Sequence, residues 1–140
     1  MFDWHFENDY LYLAGGNFTL LNGNACSGRF TKVKISDLTI DPLNLSLNNT
    51  VRKILISGDS IYLAGDFTSV LSTTRNRFAK VDIVENLPVL QALNPNINDK
   101  VHAFLINGNN LYLGGDFTTV SATSRLGFAD YDLSNLQLNA

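Results

Sequence analysis

The run IYLAGDFTSV, from Ile61 to Val70, returns as LYLGGDFTTV from Leu111 to Val120, 50 residues further on, and more loosely as LYLAGGNFTL from Leu11 to Leu20. A fixed period of this length marks a fold assembled from stacked copies of one supersecondary unit. The flanks keep the spacing. Val51, Ile54, Ile56 and Gly58 answer to Val101, Phe104, Ile106 and Gly108, and RFAKVDI (Arg77–Ile83) answers to GFADYDL (Gly127–Leu133). In the first copy the counterparts are RFTKVKI (Arg29–Ile35), after one extra residue near Gly16, with Met1, Trp4 and Phe6 ahead of them.

Turn residues divide the middle copy into four short extended runs, VRKILI, IYLAGDF, RFAKVDI and LPVLQAL; SGDS closes the first pair and the polar linker NPNIND follows the last. None carries the 3.6-residue apolar period of an amphipathic helix. Ile54, Leu55 and Ile56, and again Ile61, Tyr62 and Leu63, are apolar at consecutive positions, so both faces of their sheet need cover. Pro88 lacks an N–H and suits an edge strand. These features predict an all-β fold: a β-propeller of three four-stranded blades at 1–47, 51–97 and 101–140. Propellers close at about four to eight blades, so three make an open arc, completed by dimerisation into a six-bladed ring or by blades outside these residues.

Composition agrees with one domain. The 140 residues are 45% hydrophobic and 16% charged, enough to build a core without disulfides or metals. Net charge is −3 and the ten lysines and arginines are scattered, which argues against a nucleic-acid partner. No apolar stretch approaches the ~20 residues that span a bilayer, so no membrane insertion is expected, and MFDWHFENDY at the N-terminus is no signal peptide. Cys26 stands alone, which removes intramolecular disulfides and multi-cysteine zinc sites.

Gly65-Asp66-Phe67-Thr68 and Gly115-Asp116-Phe117-Thr118, each with an arginine eight residues after the phenylalanine (Arg75, Arg125), an alanine-bearing strand such as Phe78-Ala79-Lys80-Val81-Asp82, and the linker Asn94-Pro95, resemble the delta-60 (DUF5122) type of β-propeller repeat. The likeness spans the chain. Kelch repeats are the alternative, although their regularly spaced tryptophan has no counterpart here, Trp4 being the sole tryptophan. The first copy departs from the pattern: Ser27 replaces the loop arginine, Lys34 replaces Asp82 and Asp132, and Asn17 follows an extra glycine. The resemblance implies an extracellular or cell-surface module.

The repeated residues read as the unit's own framework. Gly65 and Gly115 are expected where a side chain would clash. Phe67, Phe117 and Phe18 are expected to pack between blades beside Tyr62, Tyr112 and Tyr12. Asp66 and Asp116 are expected to pair with Arg75 and Arg125 or to accept backbone N–H groups, in preference to binding a metal. No calcium loop, nucleophile elbow, metalloprotease helix or phosphate loop occurs, so no metal, cofactor or catalytic residue is assigned. Three Asn-x-Ser/Thr sequons begin at Asn17, Asn44 and Asn48.

The function expected from this pattern is non-catalytic: an interaction or ligand-binding scaffold, glycan-binding in its most concrete form, with Asn94, Asn96, Asn109 and Asn110 as ligand residues. The alternatives are a hydrolase or lyase at the channel mouth, using carboxylates such as Asp59, Asp66, Asp99 and Asp116, or a purely structural sector of a large surface protein.

Overall fold

The computed structural model describes residues 2–140. Met1 and the side chain of Ser27 lie outside the description, and with them the matches of Met1 to Val51 and of Ser27 to the loop arginine. Among the described residues there is no helix, and the strands pair only antiparallel.

The first sheet holds β1 (Asp3–Glu7), β2 (Tyr10–Leu21) and β3 (Asn24–Lys34) in that order. The second holds β4 (Val51–Ser57), β5 (Ser60–Gly65), β8 (Phe78–Val84) and β9 (Leu87–Leu90), with the small hairpin β6 (Ser69–Val70) and β7 (Thr73–Thr74) inserted between β5 and β8. The third holds β10 (Val101–Asn107), β11 (Asn110–Gly115), β14 (Phe128–Asp132) and β15 (Gln137–Leu138), with the hairpin β12 (Thr119–Val120) and β13 (Thr123–Ser124). The second and third sheets share one register. Val51 faces Gly65 as Val101 faces Gly115, and Ser60 faces Asp82 as Asn110 faces Asp132. Both first strands bulge at the same step, at Arg52 and at His102.

The glycines expected at close approaches are required there. A Cβ on Gly65 would lie 2.3 Å from the Thr50 carbonyl oxygen, and one on Gly115 would lie 2.1 Å from that of Lys100. The chain turns out of the main hairpin at these points and makes the small one.

The first unit differs from the four-stranded expectation, because its sheet has three strands. Its fourth position survives as the single bridge Val33–Ile40, matching the Val81–Leu90 pair of β8 and β9. Locally, Leu38 is left-handed (φ 58), Asp37 accepts the Thr39 N–H in a tight turn, and Pro42 has no N–H to extend a ladder. Its long hairpin runs on to Leu21–Asn24, with register shifts between Ala14 and Phe18 and between Phe18 and Leu20, and is closed by Asn22 and Gly23, both at positive φ.

The cores lie between the sheets. Tyr12, Ala14 and Phe30 of the first sheet pack with Ile54, Ile56, Leu63 and Val81 of the second. Ala64 and Phe78 of the second pack with Leu111, Leu113, Ala129 and Tyr131 of the third. Each sheet therefore has a forward face and a rear face, and β1 lies against β4 as β4 lies against β10. Phe67 and Phe117 are fully buried as expected; Phe18, on the long first hairpin, is only half-buried.

Candidate functional site

The linkers between sheets supply the least expected contacts. Leu43, Leu45 and Leu47 before the second unit, and Leu93, Pro95 and Ile97 before the third, alternate inward against exposed Asn44, Ser46 and Asn48 and exposed Asn94, Asn96 and Asn98. This is the period-2 pattern of an extended chain with one apolar face. The linker NPNIND is thus half core. Asn48 Oδ1 accepts the N–H groups of Thr68 and Ser69 while its Nδ2 donates to Thr68 Oγ1. Asn98 repeats the set on Thr118 and Thr119, at 2.9 Å for all three bonds. Sequence reasoning passed over this pair, although Asn48 and Asn98 stand 50 residues apart like the rest of the pattern. With its amide engaged in this way, Asn48 is a junction residue as well as the start of a sequon.

The arginine–aspartate pairing expected within each loop is not the one observed. Asp66 accepts a two-pronged contact from Arg52, at 2.7 and 2.8 Å, and Asp116 meets His102 Nε2 at 2.9 Å. Arg75 instead donates to the Thr74 and Gln91 carbonyls and Arg125 to those of Ser124 and Asn139, tying the inner hairpin to the outer strand. The bulges explain the exchange. They turn Arg52 and His102 toward the aspartate after the glycine, while the long loop carries the arginines to the chain just beyond the outer strands. Burial alone would raise the Asp66 carboxyl, but the hydrogen bond and charge of Arg52, helped by Lys100 and Arg77, outweigh it and hold Asp66 below the usual carboxylate range. In return the Asp66 hydrogen bond raises Arg52.

The four asparagines expected to bind ligand are not brought together. Asn109 and Asn110 close the β10–β11 turn, where the Asn109 carbonyl accepts the Leu133 N–H and Asn110 Nδ2 donates to the Tyr112 hydroxyl. Asn94 and Asn96 run beside the β12–β13 hairpin, beyond the other end of β11. Asn96 is left-handed (φ 50), as is its counterpart Ser46 (φ 47), and its Oδ1 accepts from Asn76. Asn96 is therefore a turn residue, suited to a conformation that asparagine tolerates.

A ligand-sized groove with aromatic walls runs across the first strands of the three sheets. Trp4 and His5 of β1, Lys53, Ile54 and Leu55 of β4, and Phe104 and Leu105 of β10 line a groove of about 260 Å³. Trp4 is 61% exposed, and Lys53 is held at 3.3 Å by Asp3, whose other contact is the Ile54 N–H at 2.8 Å. Such a groove offers an aromatic face, an aliphatic wall and a polar edge, the mixture that binds small molecules. Sequence reasoning named Trp4 only as a strand-one residue; that three first strands stand side by side is visible only once the sheets stack. No group of three or more His, Cys, Asp or Glu residues that could hold a metal ion occurs among the described residues.

Together the fold and the groove define an all-β protein of several antiparallel sheets with an aromatic-lined cleft across their first strands. No family model and no curated protein matches the chain.

Proposed function

We propose that the three sheets are consecutive blades of a β-propeller of the delta-60 kind, serving outside the cell as a non-catalytic binding scaffold. Its ligand site is the groove along β1, β4 and β10, which in a propeller borders the central channel. One observation carries this reading: the repeated polar residues Asn48, Asn98, Asp66, Arg75 and Arg125 are spent on bonds within a unit or between a unit and its incoming linker, whereas the groove is lined by Trp4, Ile54 and Phe104, equivalent positions that hold a different side chain in each unit, with His5 and Lys53 beside them. A glycan is the favoured ligand class, because an exposed indole beside a lysine–aspartate edge offers both a stacking surface and hydrogen-bond partners.

Trp4 is the sole tryptophan, so its fluorescence reports the groove directly. Titration with soluble glucose- and N-acetylglucosamine-based oligosaccharides is expected to shift its emission saturably, and Trp4→Ala to abolish the heat of binding measured by calorimetry. Unchanged emission and no heat with every sugar tested would remove the glycan reading.

A further inference from the structure

The two internal junctions show what a sheet of this protein places on the next. In each, a forward-face phenylalanine closes the contact: Phe30, 1% exposed, between the first and second sheets, and Phe78, 0% exposed, between the second and third. The third sheet carries the same residue in the same register, Phe128 opposite Gly114, as Phe78 stands opposite Ala64. Yet Phe128 is 60% exposed, and Leu105 and Leu126 beside it are bare as well. The forward face of the third sheet is thus a finished contact surface with nothing against it.

At the opposite end of the stack stands its complement. The residues that receive Phe30 and Phe78 are rear-face side chains of the following sheet, Ile56, Leu63 and Val81 at one junction and Ile106, Leu113 and Tyr131 at the other. The first sheet has Phe6, Leu13 and Val33 at these positions; Phe6 is exposed, while Leu13 and Val33 are buried at the floor of the face. Beside them Leu11 and Ile35, with Leu21, Leu38 and Ile40 of the same unit as its rim, line an apolar groove of about 410 Å³. A knob and its socket are therefore carried at opposite ends of one chain.

We propose that a second copy of this chain docks head to tail, the forward face of the third sheet of one copy seated on the rear face of the first sheet of the other, with Phe128 as the central anchor. The occupant is identified by continuity: the same pair of surfaces is already in contact twice within each chain. The forward face of the third sheet repeats Leu55, Tyr62 and Phe78 of the second as Leu105, Tyr112 and Phe128; it differs in Ala103 for Lys53, Asp130 for Lys80, and exposed Leu126 for Asn76, which holds the outgoing linker through Asn96. This inference rests on the stacking of the sheets and stands or falls independently of any glycan bound in the groove. The contact is heterologous, unlike surfaces meeting, which dictates its test.

Mass is measured by light scattering over a concentration series for the wild-type chain, Phe128→Asp, Phe6→Asp and an equimolar mixture of the two variants. Wild type is expected to form a two-chain or larger species. Each variant alone is expected to weaken association about 30-fold or more, the scale of a central aromatic anchor. The mixture is expected to recover a two-chain species, because the intact rear face of one variant meets the intact forward face of the other. Leu87→Asp, on exposed outer strand β9, is the control expected to behave as wild type. Both test residues are exposed in the single chain, and circular dichroism checks each fold; Leu126→Asp and Ile35→Asp, at exposed positions outside the glycan groove, replace any variant that unfolds. A wild-type chain that stays monomeric up to its solubility limit overturns the proposal. So does undiminished association of either variant, or failure of the mixture to recover.

Discussion

The first and second units begin from similar phrases, LYLAGGNFTL and IYLAGDFTSV, and fold them differently. In the second, the hairpin breaks at Gly65 and a small hairpin β6–β7 turns in to bury Phe67 completely. In the first, β2 and β3 shift register on both sides of Phe18 but pair again up to the tip, and Phe18 remains half-buried. The phrases differ at the break itself: Asp66 follows Gly65 directly, whereas the first unit has an extra glycine ahead of Asn17. Asn48 and Asn98 reach the second and third small hairpins from the linker leading into each unit, so each small hairpin is held from outside, by chain belonging to the junction.

The strongest way to break the comparison is through the buried ring. Phe67→Ala is expected to cost about 3–5 kcal/mol in urea unfolding, the range for emptying a fully buried aromatic site, while Phe18→Ala costs about 1 kcal/mol or less. Equal losses would mean that the first hairpin is packed in solution as the second is. Next come the glycines. Gly65→Ala brings a methyl group against the Thr50 carbonyl and is expected to lose about 1–3 kcal/mol, whereas at Gly16 the nearest atom lies 3.9 Å from a Cβ and the same change is expected to stay within about 0.5 kcal/mol.

A smaller effect sharpens the causal claim. Asn98→Ala removes three hydrogen bonds at an exposed position and is expected to cost about 1 kcal/mol. Its signature is local: hydrogen exchange should quicken at Thr118 and Thr119 and stay unchanged in the first hairpin. Unchanged exchange at those two amides would separate the small hairpin from its linker.

These contrasts also explain how much could be read in advance. The strands were legible because a 50-residue period repeats their apolar positions, and Gly65 and Gly115 because a glycine kept at one place in a strand signals close backbone approach. The inward Leu43, Leu45 and Leu47 were not, since their alternation was masked by asparagines and a proline in the matching linker. The partners of Asp66 and Asp116 were missed for a different reason. Chain proximity pointed to Arg75 and Arg125, but a one-residue bulge in the neighbouring strand decides which side chain faces the carboxylate, and nothing in the spacing announces a bulge. The groove across β1, β4 and β10 depends on three sheets stacking, a property of no single segment.

The least effect expected distinguishes the second unit from the third. Arg52 and Asp66 are 25% and 13% exposed, His102 and Asp116 44% and 57%, so the former pair is the better shielded from water and salt. Asp66 titrates below its ordinary value in the folded chain and near about 3.9 when unfolded. Its contribution is therefore fully present above that unfolded value and disappears as pH falls through the lower folded value. For a partly exposed pair the gain is below about 1 kcal/mol. Arg52→Ala is expected to flatten the fall in stability below about pH 4, and Arg52→Lys, which keeps the charge but loses the planar fork, to give an intermediate profile. Acid unfolding that is identical in wild type and Arg52→Ala would show that Asp66 gains nothing from this partner, leaving the backbone bulge without an electrostatic role.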